Sequence, residues 1–299
     1  MKIQSMSIVV PNNACINKCK FCVSRLNQHE YENLITGKKG RLIHSEDYQL
    51  RMQYARDNNC NNVMLTGTSE PQQNKRFLQQ FATYNKNLTS PFKSIEMQTT
   101  GTLLDEHYLE MLRKDVRVTT ISLSMSSIDD SINCAYNGTP LNLKVNLRSL
   151  ASMIKQQGFN LRLSLNLTDY FNKYYDEDFY VQIDKLDILF DIFKNEFGAD
   201  QITFRELYHN GEAKEQNEWI HNHSAHPQFI KNIKQYIIDK GKPLEDLEFG
   251  LKKYSINEMG TVIDNDCMSQ ESSDVYRYLI LRPNCKLYSK WDDKGSLIF

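Results

Sequence analysis

The sequence predicts an α/β protein whose parallel sheet curls into a partial barrel, followed by a C-terminal α+β cap. Three observations lead there. Short apolar, β-branched runs alternate with helical patterns through the first two-thirds of the 299 residues, and such alternation produces right-handed βαβ crossovers around a parallel sheet. The rhythm runs to six strands and five helices and breaks after Leu207, which fits a partial barrel better than an eightfold one. No Pro/Gly/Ser-rich linker sets off the C-terminal third, so residues 208–299 read as a cap packed on a barrel of residues 1–207.

Taken in order, strands are expected at 3–10, 62–65, 94–97, 118–124, 161–167 and 201–207, each rich in Ile, Val, Leu, Met or Thr. Helical periodicity marks 45–57, with Ser45 at an N-cap position, then 74–84, 105–114, 143–157 and 184–196. Residues 169–184 and 209–225 read as irregular. A helix is expected at 227–240 and short strands at 261–263, 276–281 and 286–288. Long irregular connections in compact domains often serve as lids. On that ground Tyr170, Phe171, Tyr174, Tyr175 and Tyr208 are expected at a substrate pocket.

A net charge of −1 supplies no global field for nucleic acid. No apolar run approaches the ~20 residues that span a bilayer, so no membrane association is expected. The seven cysteines are an odd number and no signal segment opens the chain, which points to a reducing cytoplasm rather than to disulfides.

The chemistry sits in Cys15-Ile-Asn-Lys-Cys19-Lys-Phe-Cys22, three thiols within eight residues behind the first strand. Structural zinc and closed four-cysteine clusters take a fourth protein ligand. Three thiolates without one suit an iron–sulfur cluster that keeps one iron open. The alternative is a zinc or iron–sulfur binding or electron-transfer module, with Cys60, Cys134, Cys267, Cys285 or a histidine as a further ligand.

The spacing C-x3-C-x2-C, with Phe21 before the last cysteine, resembles the radical S-adenosylmethionine (SAM) superfamily. That resemblance implies a (β/α)6 partial barrel and a [4Fe–4S] cluster on Cys15, Cys19 and Cys22, with the fourth iron binding the amino and carboxylate groups of SAM. It implies an enzyme that takes an electron from a donor such as flavodoxin or ferredoxin. SAM is then cleaved reductively to methionine and a 5′-deoxyadenosyl radical, which abstracts hydrogen from a substrate.

Ligands of parallel α/β sheets sit at the carboxyl ends of the strands. After the second strand, Thr66-Gly67-Thr68-Ser69-Glu70-Pro71 resembles the superfamily's G-G-E-P loop, with Thr68 where the second glycine usually stands. The resemblance implies that Gly67, Thr68, Ser69 and Glu70 receive the SAM ammonium. Taken alone, the turn is an ordinary strand-to-helix loop with Pro71 in the first helical turn. Gln98-Thr99-Thr100-Gly101 and the segment from Ile121 to Asp129 resemble the T-N-G and S-L-D segments of the superfamily. Ser164 and Asn166 alternate with leucines, and Thr203-Phe204-Arg205-Glu206-Leu207 closes the sixth strand. Polar residues spaced by two inside apolar strands mark a barrel lumen. Thr100, Ser124 and Asn166 suit ribose hydroxyls, and Arg205 or Ser124 suits the carboxylate. The plainer reading pairs Arg205 with Glu70 or Glu206.

Cys267 and Cys285 stand 18 residues apart, unlike the paired spacing of an auxiliary cluster, and read as free thiols, as do Cys60 and Cys134. His221, His223 and His226 lack the i, i+4 spacing of a helical metal pair and read as a solvated loop. The run from Leu281 to Tyr288 resembles the superfamily's terminal L-R-P-x-G hairpin, with Cys285 in place of glycine. The chain opens directly on the first strand, without a leader-binding or cobalamin-binding addition, which favours a small-molecule substrate and leaves peptide and nucleic acid open.

Overall fold

The computed structural model of the protein describes residues 2–26, 45–209, 214–247, 251–264, 275–291 and 293–298. The barrel strands are β1 (Lys2–Val9), β2 (Asn62–Thr66), β3 (Ser94–Thr99), β4 (Thr120–Met125), β5 (Asn160–Asn166) and β6 (Gln201–Arg205). Each pairs in parallel with the next. The described helices are α1 (Val23–Leu26), α2 (Ser45–Asp57), α3 (Lys75–Lys86), α4 (Glu106–Met111), α5 (Asp130–Tyr136), α6 (Leu147–Gln156), α7 (Phe179–Asp191), α8 (Lys214–His223) and α9 (Pro227–Lys240). Their starts are set by side chains that accept backbone N–H groups: Asn74 for α3, Asp105 for α4, Asp129 for α5, Asn146 for α6 and Asp178 for α7.

The parallel sheet does not stop at six strands. Strand β10 (Val275–Leu281) pairs in parallel with β1, and β9 (Met259–Asp264) pairs in parallel with β6. Antiparallel neighbours complete the order β11-β10-β1-β2-β3-β4-β5-β6-β9-β8-β7, with β7 (Lys242–Asp246), β8 (Lys252–Ile256) and β11 (Leu287–Tyr288) at the margins. The two margins do not pair with each other, so the sheet stays open. The extension has a physical cause. A six-stranded sheet would leave the backbone groups of β1 and β6 without partners, and short tail strands take them up.

Two stretches expected to be irregular are largely helical. Residues 209–225 contain α8. Within 169–184 there is a 3-10 turn at Asp169–Tyr174, and α7 begins at Phe179. Phe171 and Tyr174 face inward, at 0% and 8% exposure, as part of the main core. Tyr170 packs edge-on against Phe171. Tyr175 stacks on His226, whose Nδ1 caps α9. These aromatics hold helices to the sheet rather than forming a loop over the barrel mouth.

Period-two alternation runs through the strands as expected. In β5, Leu161, Leu163 and Leu165 are fully buried against the helices, each contributing about 1.5–3 kcal/mol by transfer from water. The intervening Arg162, Ser164 and Asn166 face the lumen. They sit beside Ser122 and Ser124 of β4 and Thr203 and Arg205 of β6 in adjacent register. A polar interior inside an apolar shell is thereby built, and it opens at the strands' carboxyl ends.

Candidate cofactor site

The thiol loop, residues 11–22, is clamped from two sides. On the first, Asn12 Nδ2 donates to Ser69 Oγ at 2.7 Å and to the Glu70 carbonyl at 3.2 Å. Gln73 accepts from the Ile16 amide at 2.9 Å and donates to the Ala14 carbonyl at 2.9 Å. On the second, the Lys18 and Lys20 amides each donate at 3.1 Å to the Asn137 and Tyr136 carbonyls at the end of α5. Gly138 makes this approach possible. Its φ is +55°, and a Cβ there would stand 2.5 Å from the Lys18 carbonyl oxygen. Gly138→Ala is therefore expected to leave the secondary structure intact while lowering iron incorporation, since left-handed backbone costs a Cβ-bearing residue about 1–2 kcal/mol before any clash. Circular dichroism and iron analysis together check this.

Glu70 ties the loops to the barrel. Its carboxylate is 5% exposed and accepts from Thr99 Oγ1 at 2.6 Å, the Thr100 amide at 3.0 Å, Thr100 Oγ1 at 2.8 Å and Asn17 Nδ2 at 3.3 Å. Burial raises its pKa, opposed by those hydrogen bonds. Asn17 stands between two of the cysteines and also donates to Thr100 Oγ1 at 2.7 Å. One buried carboxylate thus joins the thiol loop, the loop after β2 and the end of β3.

Cys15, Cys19 and Cys22 are half-buried free thiols. Burial pushes Cys15 and Cys19 up, and the neighbouring charges of Glu70 and the other thiols add to it. Thiols so placed resist ionisation until a cationic centre compensates them, and thiolate is the ligand an iron–sulfur group takes. Among the described residues no three His, Cys, Asp or Glu side chains are grouped to hold a single metal ion. Cys60 and Cys134 are buried, and Cys267 lies outside the described residues.

A cleft of about 260 Å3 at the strand ends is lined by every residue the sequence assigns to the cluster and to SAM: Cys15, Cys19, Phe21, Cys22, Gly67, Thr68, Ser69, Glu70, Thr100, Ser124, Asn166 and Arg205. Of the five aromatics expected at a substrate pocket, Tyr208 alone lines this cleft. At Gly67 an added Cβ would stand 3.1 Å from the Val10 carbonyl oxygen, so a side chain there would push the loop after β2 a few tenths of an ångström away from the end of β1. Asn166 Nδ2 donates to Ser124 Oγ at 3.2 Å, and Arg205 Nε donates to Ser164 Oγ at 2.9 Å. Glu206 pairs instead with Lys234 at 3.1 Å. Ser122 Oγ also faces the cleft, is 1% exposed and finds no hydrogen-bond partner. A buried hydroxyl of that kind suits a polar ligand. The sequence reading missed the positioning residues Asn12, Asn17, Gln73 and Gly138; only the Asn137-Gly138 turn pair carried a local signal.

A family model described as the radical SAM superfamily matches residues 9–183. The chain belongs to this superfamily. Members of this superfamily use a [4Fe–4S] cluster and SAM. Similar solved structures include native anSMEcpe with bound AdoMet and Kp18Cys peptide, at 15% identity and a TM-score of 0.58, covering 96% of this chain and 74% of that one. Native anSMEcpe with bound AdoMet and Cp18Cys peptide matches at 17% identity and a TM-score of 0.54, covering 80% of this chain and 59% of the other. SuiB of Streptococcus suis bound to S-adenosylmethionine matches at 16% identity and a TM-score of 0.52, covering 96% and 58%. The chain thus covers under two-thirds of the matched chain in the last two structures, and at these identities the likeness is one of fold. No curated protein matches the chain in sequence. No helix among the described residues is long and apolar enough to cross a membrane.

Proposed function

We propose that Cys15, Cys19 and Cys22 hold three irons of a [4Fe–4S] cluster and that SAM occupies the cleft beside it. When bound, the cluster supplies the electron that cleaves SAM to methionine and a 5′-deoxyadenosyl radical, which takes a hydrogen atom from the substrate. The observation that carries this reading is that one cleft gathers the three thiols, the loop after β2 and the polar strand ends.

The chain's own residues then divide the work. Backbone groups of Gly67, Thr68 and Ser69 receive the ammonium, and Glu70 holds that loop in place. Ser124 and Asn166 bind ribose hydroxyls, Arg205 holds the carboxylate, and Phe21 flanks the site. Thr100 Oγ1 is already engaged with Glu70 and Asn17, so its part is to shape the loop.

Beyond the cleft, a chamber of about 140 Å3 is lined by Ser7, Met64, Gln98, Arg205, Tyr278 and Trp291. That volume supports a small-molecule substrate, or one side chain of a larger one. In this reading residues 1–207 supply the cofactor surface and residues 208–299 close the substrate side. A reducing, cytoplasmic setting fits three thiols kept free to hold a cluster.

Anaerobic reconstitution tests the proposal. About four irons and four sulfides per chain are expected, with deoxyadenosine formed from SAM and dithionite. One zinc and no sulfide, or a loaded cluster that forms no deoxyadenosine, would overturn it.

A further inference from the structure

A second cavity, of about 530 Å3, opens between the thiol loop and α8 and is lined by Lys20, Arg25, Glu215, Glu218, Trp219 and His223, among others. It shares no lining residue with the cofactor cleft. A run of aromatic rings joins the two. Phe21 lines the cleft, and its ring centre lies 6.2 Å from that of Trp219. Trp219 stacks on His223 at 4.5 Å, with Tyr136 edge-on to both at 5.5 and 5.9 Å. Asp169 fixes the array from behind: it accepts from the Tyr136 hydroxyl at 2.7 Å and meets His223 Nδ1 at 2.9 Å. Gln216 of α8 donates to the Cys22 carbonyl at 3.1 Å, so the groove wall is bonded to the loop that carries the thiols.

Charge is divided between the walls. Residues 11–26 contain Lys18, Lys20 and Arg25 and no acid. All three cations are exposed, and among the described residues none is in an ion pair. The facing wall carries Glu215 and Glu218.

We propose that this groove is the docking surface for an acidic one-electron carrier protein, whose charged edge meets Lys20 and Arg25 while the Trp219–Phe21 pair shortens the path inward. The inference rests on the functional reading above and adds the place of electron entry. The carrier loses one electron and the cluster gains it; no bond or proton changes hands. Tunnelling falls exponentially with distance, so a carrier must seat where the protein between it and the cluster is thinnest. Electrostatic steering acts on such encounters chiefly through the association rate, and salt weakens it. Transient redox contacts are small, so one groove suffices.

The test compares reduced flavodoxin with dithionite as the reductant, reading deoxyadenosine formed by the reconstituted protein. Arg25→Glu, alone and with Lys20→Glu, is expected to lower the flavodoxin-driven rate about tenfold at low ionic strength, with the gap closing as salt is added. The dithionite-driven rate and the iron content should stay near those of the wild type. Glu215→Gln with Glu218→Gln should raise the flavodoxin-driven rate. Trp219→Leu should slow flavodoxin more than dithionite, and Trp219→Phe should restore much of the loss. An unchanged flavodoxin rate in Arg25→Glu would overturn the proposal. So would equal losses with both reductants in every variant, which would make the groove a support for the loop only. Absence of dithionite-driven cleavage in the wild type with its cluster loaded would instead overturn the functional reading, and the docking surface with it.

Discussion

Replacing any one of Cys15, Cys19 or Cys22 with alanine is expected to abolish both the brown chromophore and SAM cleavage. Thiolate is the soft ligand iron requires, and alanine offers none. Among the described residues the other thiols are buried: Cys60 donates to the Asn62 carbonyl at 3.4 Å within the core, Cys134 is buried in α5 and Cys285 in the turn after β10. The fold itself should survive these changes. The three side chains are only half-buried, and the loop is held by backbone and amide hydrogen bonds from Asn12, Gln73, Tyr136 and Asn137. The melting temperature of the metal-free protein should accordingly shift by no more than about 1 kcal/mol of stability would produce. Cys285→Ala should keep the cluster and full cleavage. Iron and sulfide analysis with the visible spectrum reads all four variants. A triplet variant that retains its cluster, or a Cys285→Ala protein that loses it, would show the ligands to be misassigned.

Much of this arrangement was legible in the sequence because two of its signals are local. Alternation in β4 to β6 separates lumen from core residue by residue, so Ser124, Ser164 and Asn166 could be aimed before any tertiary contact was known. The thiol spacing and the Thr66–Pro71 turn are contiguous too. What stayed hidden depends on distant partners. The runs that become β9 and β10 were visible as strands, but nothing in them says that they pair with β6 and β1 across the chain. Helix α8 has little apolar face; among Lys214–His223 only Trp219 and Ile220 are apolar, and it is held by the ring contacts of Trp219 and His223. Helix α5 is seven residues long, too short for periodicity to register, although Asp129 capping the Ser131 and Ile132 amides at 3.0 Å marks its start. Cys285 in place of glycine was a departure visible in the sequence. The structure accounts for it, since Cys285 adopts the left-handed φ of +61° that glycine would take more easily.

Glu70→Ala is the second change expected to have a large effect, and the hydrogen bonds decide what kind. A side chain that met only the cofactor could be removed with the iron content intact. Glu70 instead accepts four hydrogen bonds from Thr99, Thr100 and Asn17 in a buried position. Alanine would leave those donors without an acceptor, at roughly 1–3 kcal/mol for each that cannot rearrange. A loss of about 2–4 kcal/mol in stability is therefore expected. Because Asn17 lies between Cys15 and Cys19, iron incorporation should fall together with SAM affinity. Glu70→Gln keeps the shape and one carbonyl acceptor, and should fall between the wild type and the alanine variant on every measure. Thermal melting, iron per chain and SAM binding, measured on the same preparations, separate the possibilities. A Glu70→Ala protein that melts as the wild type does and carries a full cluster, yet binds SAM weakly, would show that the carboxylate serves the cofactor directly and that its hydrogen bonds to the three neighbours are incidental.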